Sequence, residues 1–116
     1  VEKPWGYELI WARSDRYCGK LLFVRAGEAL SLQFHEAKDE TIYVHEGRVE
    51  IEMGESARDR VIEVVERGRA FRVRPGIVHR MRALADTTFF EASTPELDDV
   101  VRLEDRYGRT SGLAER

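Results

Sequence analysis

Apolar residues in this chain recur at every second position in short runs, and Gly, Pro or acidic residues interrupt those runs at close intervals. That period suits a strand buried on one face and does not suit a helix. It predicts ten strands, at residues 8–12, 20–26, 30–35, 40–45, 48–53, 60–66, 70–74, 78–83, 88–93 and 100–104. The punctuation between them is Gly27, Gly47, the stretch from Gly54 to Asp59, Arg67-Gly68, Pro75-Gly76, Asp86 and Pro95. Ten short strands within 116 residues imply an all-β sandwich or barrel, in one domain covering 1–116 with an irregular tail from about residue 107.

Composition narrows the function classes. Hydrophobic residues at 42% are enough for one small core, and charged residues at 35% give it a heavily charged surface. A formal charge of −3 argues against a general grip on nucleic acid or on an anionic membrane. No apolar run approaches the roughly 18 residues of a membrane span, and no basic-then-apolar segment opens the chain. A soluble, cytoplasmic protein is the expectation. Cys18 is the single cysteine, which leaves no intrachain disulfide and no multi-cysteine zinc site. Asn is absent and Gln33 is the one glutamine, so that amide is not part of a scattered background.

The run 30–35 contains a conflict. Ser31, Gln33 and His35 project to one side of a strand, while Leu30, Leu32 and Phe34 project to the other. Either the leucine face is the core and the polar face is solvated, or the polar face lines an interior cavity. In the second case the leucine face needs a cover, from the N-terminal segment or from a second subunit in a symmetric homodimer.

Spacing bears on that choice. From Gly27 the chain runs five residues to Gln33, one to His35, four to Glu40 and six to Gly47. After 20 residues a second block opens at Gly68, followed five residues later by Arg74-Pro75-Gly76 and then, two further on, by His79. The two blocks resemble the paired motifs of the cupin superfamily, whose fold is a double-stranded β-helix, or jelly-roll barrel, around a metal. Gln33 stands at the usual first histidine, Arg74 at the usual proline and Ala83 at the usual asparagine.

The Gln-x-His variant resembles the phosphomannose isomerases. Further segments are similar to the C-terminal isomerase domain of the bifunctional type II mannose-6-phosphate isomerase / mannose-1-phosphate guanylyltransferase enzymes. These are Lys3-Pro4-Trp5-Gly6, Ser31-Leu32-Gln33, His79-Arg80-Met81 and the stretch from Asp98 to Arg109. Lys38-Asp39-Glu40 echoes a Lys-x-Glu of the type I enzymes. The chain departs from the type II pattern at Glu36, where that family has histidine, and at Glu91-Ala92-Ser93, where it has Glu-Val-Gln.

The resemblance implies one divalent metal ion held by Gln33, His35, Glu40 and His79. Two imidazoles, a carboxylate and an amide oxygen suit zinc first, with manganese, iron, cobalt or nickel as alternatives. The implied activity is a metal-dependent aldose–ketose isomerisation of a small sugar or sugar phosphate, acting through an enediolate that the metal stabilises. Glu91 is the first candidate for the base and Lys38 the second, as a proton shuttle or charge stabiliser. Arg80, Arg102 and Arg109 are candidates for clasping a phosphate, because a guanidinium offers two parallel donors. For Arg80, alternation next to His79 argues for the outward face. His45 falls on the opposite parity from Glu40 and reads as surface. A non-catalytic carbohydrate-binding or regulatory module is the first alternative. An Fe(II) oxygenase using His35, Glu40 and His79 is the second.

Overall fold

The computed structural model describes residues 1–109, so residues 110–116 of the expected irregular tail lie outside the described residues. The strands are β1 (Glu2–Lys3), β2 (Gly6–Arg13), β3 (Cys18–Val24), β4 (Leu32–Phe34), β5 (Glu40–Glu46) and β6 (Arg48–Gly54). They continue with β7 (Arg60–Glu66), β8 (Ala70–Val73), β9 (Val78–Ala83), β10 (Thr87–Ser93) and β11 (Val101–Glu104). Each of the ten expected strands forms, with ends within two residues of the expected ones. β1 is additional, and two residues are too few for alternation to register.

The strands make two antiparallel sheets. One has the order β1-β2-β3-β10-β5-β8 and the other β11-β4-β9-β6-β7. Neighbours in each sheet are mostly distant in sequence, with β10 lying between β3 and β5, and β9 between β4 and β6. This is the layout of a double-stranded β-helix, and it brings residues far apart in the chain onto one inner surface. Among the described residues no helix is long and apolar enough to cross a membrane.

The core lies between the sheets. Leu22 and Val24 on β3, Ile42 and Val44 on β5 and Phe89 on β10 face Val49 and Ile51 on β6 and Met81 and Ala83 on β9. Each of these side chains apart from the smaller Ala83 is worth roughly 1.5–3 kcal/mol when removed from water.

The same inner faces carry polar residues at one end. Two positions from an apolar core residue come Lys20 on β3, Glu40 on β5, His79 on β9 and Glu91 on β10, all buried. Because the side-chain period is two, these four share the inward face with Leu22, Ile42, Met81 and Phe89. One end of the sandwich is therefore filled with hydrocarbon and the other is a polar cavity.

The polar face of the 30–35 run lines that cavity, through Ser31, Gln33 and His35. The leucine face departs from simple alternation. Leu32 is wholly buried within the single chain. Leu30 packs against the core and also lines the cavity, instead of facing outward with Leu32. It precedes β4 in a segment held to β9 by an isolated bridge between Ala29 and Arg82 and by Leu30 N–H to Met81 O at 2.9 Å, so the parity of β4 does not extend to it.

Candidate metal centre

Three of the expected ligands come together. His35 follows β4, Glu40 opens β5 and His79 lies on β9, and their ligating atoms all fall within 4.8 Å of one another. His35 Nε2 is 3.4 Å and His79 Nε2 is 3.6 Å from the same carboxylate oxygen, Glu40 Oε1. A tetrahedral ion with bonds of about 2.0–2.2 Å separates its ligands by about 3.3–3.6 Å, the spacing found here.

The imidazoles are set for ligation by their other nitrogens. His35 Nδ1 lies 2.6 Å from the backbone oxygen of Asp99, and His79 Nδ1 lies 2.9 Å from that of Ile77. A carbonyl oxygen only accepts, so each Nδ1 carries the proton and each Nε2 presents a lone pair. Both Nε2 atoms are buried and without a hydrogen-bond partner. Orphaned buried nitrogens are uncommon in folded proteins, and a cation between them and Glu40 accounts for both. Burial lowers the His79 imidazole to about 4, so its lone pair is free at neutral pH.

Gln33 stands across from His79 in the β4–β9 register and lines the same cavity. Its Oε1 accepts a hydrogen bond from the buried Ser31 hydroxyl at 2.5 Å. An amide oxygen has two lone pairs, so Ser31 fixes this group and leaves it one further acceptor position.

Beside the triad lies a buried chain of charges. Lys38 Nζ is 3.1 Å from Glu40 Oε2 and 3.1 Å from Glu91 Oε2, with the three side chains almost fully enclosed. Burial opposes the Lys38 charge, but Glu91 and Glu40 outweigh it and hold the ammonium above its usual value. Burial also opposes the Glu40 charge; contact with His35 and the charge of Lys38 reverse that and keep the carboxyl well below the usual range. Glu91 moves the other way, since burial and then the Glu40 charge push it up against the pull of Lys38.

Among the expected phosphate-binding residues, Arg102 and Arg109 line the cavity, as does Lys3. Arg109 is braced by Asp105 through bonds of 2.9 and 3.2 Å and lies 5.6 Å from the centre of the Tyr107 ring. Arg80 does not belong with them. It projects to the outer face of β9, where it is 3.5 Å from Glu52 and 3.6 Å from Glu104, because strand alternation turns it away from its neighbour His79. His45 is exposed, with its ring 5.4 Å from Phe90. Alternation put Ser31 on the polar face with Gln33 and His35 but gave it no role, and it did not single out the Glu8–Lys20 pair that lines the cavity, because charged residues in strands usually face solvent. The parity of Lys20 with Leu22 and Val24 was the available signal.

Two antiparallel sheets closed over a cavity with two histidines and a glutamate define a cupin. The cupin domain family matches residues 20–90, and the chain belongs to that family. It is 32% identical to the xanthan biosynthesis protein XanB of Xanthomonas campestris pv. campestris strain B100 over 95% of this chain and 24% of that protein. It is 33% identical to the mannose-1-phosphate guanylyltransferase of Escherichia coli K12 over 94% of this chain and 23% of that protein. The chain thus spans about a quarter of the length of these curated relatives. Among solved structures, an uncharacterised protein with a double-stranded β-helix domain from Klebsiella pneumoniae superposes with a TM-score of 0.73 at 13% identity, covering 91% of this chain and 90% of that one.

Proposed function

We propose that this cupin is a metal-dependent aldose–ketose isomerase for a sugar phosphate of the mannose 6-phosphate kind. The observation that carries the reading is the buried Lys38, whose ammonium joins the triad carboxylate Glu40 to a second carboxylate, Glu91. A metal site that only stabilised the fold has no need of a further buried acid one ammonium away from it. The relative named as acting on a mannose phosphate matches this chain over 94% of its length, which supports the substrate class.

His35, Glu40 and His79 would hold the divalent ion, with the Gln33 oxygen as a fourth ligand. When bound, such an ion polarises the substrate's carbonyl and neighbouring hydroxyl oxygens. Glu91 takes the proton from the carbon beside the carbonyl and returns it to the former carbonyl carbon, while the hydroxyl proton passes from one of the two substrate oxygens to the other. Lys38 holds Glu91 toward the triad and balances the charge that passes between acid and sugar. Arg102 and Arg109, at the cavity wall, receive the phosphate.

The two-histidine, one-carboxylate triad taken alone also fits a non-haem Fe(II) oxygenase. Elemental analysis of the purified protein, followed by a coupled assay for fructose 6-phosphate formed from mannose 6-phosphate and a screen of other aldose phosphates, decides the matter. Glu91→Gln should keep the metal and lose roughly 100-fold or more of turnover. Metal-loaded, folded protein that converts no aldose phosphate overturns the isomerase. Iron together with oxygen-dependent turnover replaces it with the oxygenase, and sugar binding with no turnover replaces it with a carbohydrate-binding module.

A further inference from the structure

Two charged residues in the cavity have no role assigned above, although the Lys20 charge joins Lys38 in drawing Glu91 down. Lys20 Nζ on β3 is 3.3 Å from Glu8 Oε1 on β2, and their side chains are 8% and 16% exposed. Lys20 is the direct cross-strand partner of Glu91 on β10, so both side chains stand side by side on the cavity floor. Glu8, Lys20, Glu91, Lys38 and Glu40 therefore alternate in sign across β2, β3, β10 and β5, ending at the metal triad.

Folding does not demand this pair. Enclosing two charges usually stabilises a protein no more than well-packed apolar residues of similar volume. Leu22, two positions along the same face of β3, shows that this inner surface accepts hydrocarbon. What the pair supplies is a donor beside an acceptor. An ammonium has three N–H donors, and among the described residues Glu8 is the one ion-pair partner of Lys20. A hydroxyl group both donates and accepts, so one sugar hydroxyl, or two on neighbouring carbons, can satisfy both residues at once.

We propose that Glu8 and Lys20 form a hydroxyl-binding subsite that selects a polyhydroxylated substrate by a carbon beyond the pair between which the proton moves. This specificity-determining role rests on the isomerase reading. The position of Lys20 next to Glu91 sets the hydroxyl it reads close to the reacting carbons. A site that hydrogen-bonds a substrate hydroxyl discriminates strongly against the analogue lacking it, because the N–H donors and carboxylate lone pairs that Lys20 and Glu8 do not use on each other are then left unsatisfied.

Binding and turnover test the two readings separately. Calorimetry on the zinc-loaded protein would use mannitol 6-phosphate, which has no carbonyl to isomerise, and its 3-deoxy, 4-deoxy and 5-deoxy analogues. The wild-type protein should bind at least one analogue roughly 100-fold more weakly than the parent. Lys20→Met and the nearly isosteric Glu8→Gln should each cut that ratio to below roughly 10-fold, leaving the other analogues and the zinc content unchanged. Glu8→Gln keeps the test open if Lys20→Met does not fold. Equal weakening toward every ligand, no weakening, or a wild-type protein that binds none of the four overturns the subsite. Discrimination without turnover of mannose 6-phosphate removes the isomerase and keeps the subsite; turnover with discrimination untouched by the variants does the reverse.

Discussion

His35 donates its Nδ1–H to the backbone oxygen of Asp99 at 2.6 Å, while the Asp99 carboxylate accepts from the backbone N–H groups of Glu36, Ala37 and Lys38 at 2.9, 2.7 and 2.9 Å. Asp99, two positions before β11, thus orients a triad histidine and also pins the loop that delivers Lys38 and Glu40. Removing an outer partner of a ligating histidine commonly weakens metal affinity by about 10–100-fold. Asp99→Ala keeps the backbone oxygen that His35 binds but releases the 36–38 loop from its carboxylate anchor, so zinc affinity should fall by about 10-fold, the low end of that range, read by competition for zinc with a chromophoric chelator. Asp99→Asn keeps one acceptor oxygen and should fall between. An affinity unchanged in Asp99→Ala would mean that the loop holds its shape without the carboxylate.

Metal binding should also register as stability. A ligand that binds only the folded state adds about 2.7 kcal/mol when present at 100 times its dissociation constant. Zinc should therefore raise the thermal midpoint of the chelator-treated protein. His79→Ala, which removes one of the two buried imidazole nitrogens that have no hydrogen-bond partner, should largely abolish the rise. A rise of equal size in His79→Ala would place the ion elsewhere.

Strand parity made most of this architecture legible in the sequence, and parity also marks where the reading stopped. The spacing of His35, Glu40 and His79 matched a known pattern, and sheet closure brings the three to one carboxylate oxygen. Arg80 fell among the phosphate candidates through its neighbours in a family-like segment, although alternation already turned it outward. Leu30 was placed by extending the β4 pattern back beyond the start of that strand at Leu32, where it fails. The Glu8–Lys20 pair stayed hidden for a different reason. The parity of Lys20 with Leu22 and Val24 marked an inward face, but what a buried charge does there depends on its partner across the sheet, and that partner, Glu91, lies 71 positions away from Lys20.

Acid should weaken the metal-free protein over a defined window. Burial holds the His79 ring at about 4, against an ordinary 6.5, so between those values the unfolded chain takes up a proton that the folded chain does not. Stability rises with pH wherever the unfolded state binds more protons, so this contribution is complete above the upper value and is lost as pH falls through the lower. Its size is about 3 kcal/mol at most. Glu40 and Asp99, held low, act in the same direction at lower pH, while Glu91, pushed up, opposes them. The urea midpoint of chelator-treated protein should therefore drop between about pH 7 and about pH 4.5, and His79→Gln should flatten the drop. A midpoint that does not move would show that the ring is not held neutral inside the fold.

The β5–β6 hairpin provides a test of the frame itself. Gly47 turns it with φ at +97°, and a Cβ there would stand 2.5 Å from the Asp86 backbone oxygen and 2.7 Å from Thr87 Cα. Those atoms belong to the turn into β10, which the Thr87 hydroxyl ties to the hairpin by accepting from Arg48 N–H at 3.1 Å. Neither side has a flexible end that can move aside. Gly68 has a similar φ of +87° but open space where its Cβ would go. Left-handed backbone costs an ordinary residue about 1–2 kcal/mol, so Gly68→Ala should lose about that much. Gly47→Ala adds a backbone collision and should lose roughly 3 kcal/mol or more. Urea midpoints of the two variants, with slopes unchanged from the parent, give the comparison. Equal losses would mean that the two turns separate easily, and that the hairpin does not depend on the close approach of Gly47 to Asp86 and Thr87.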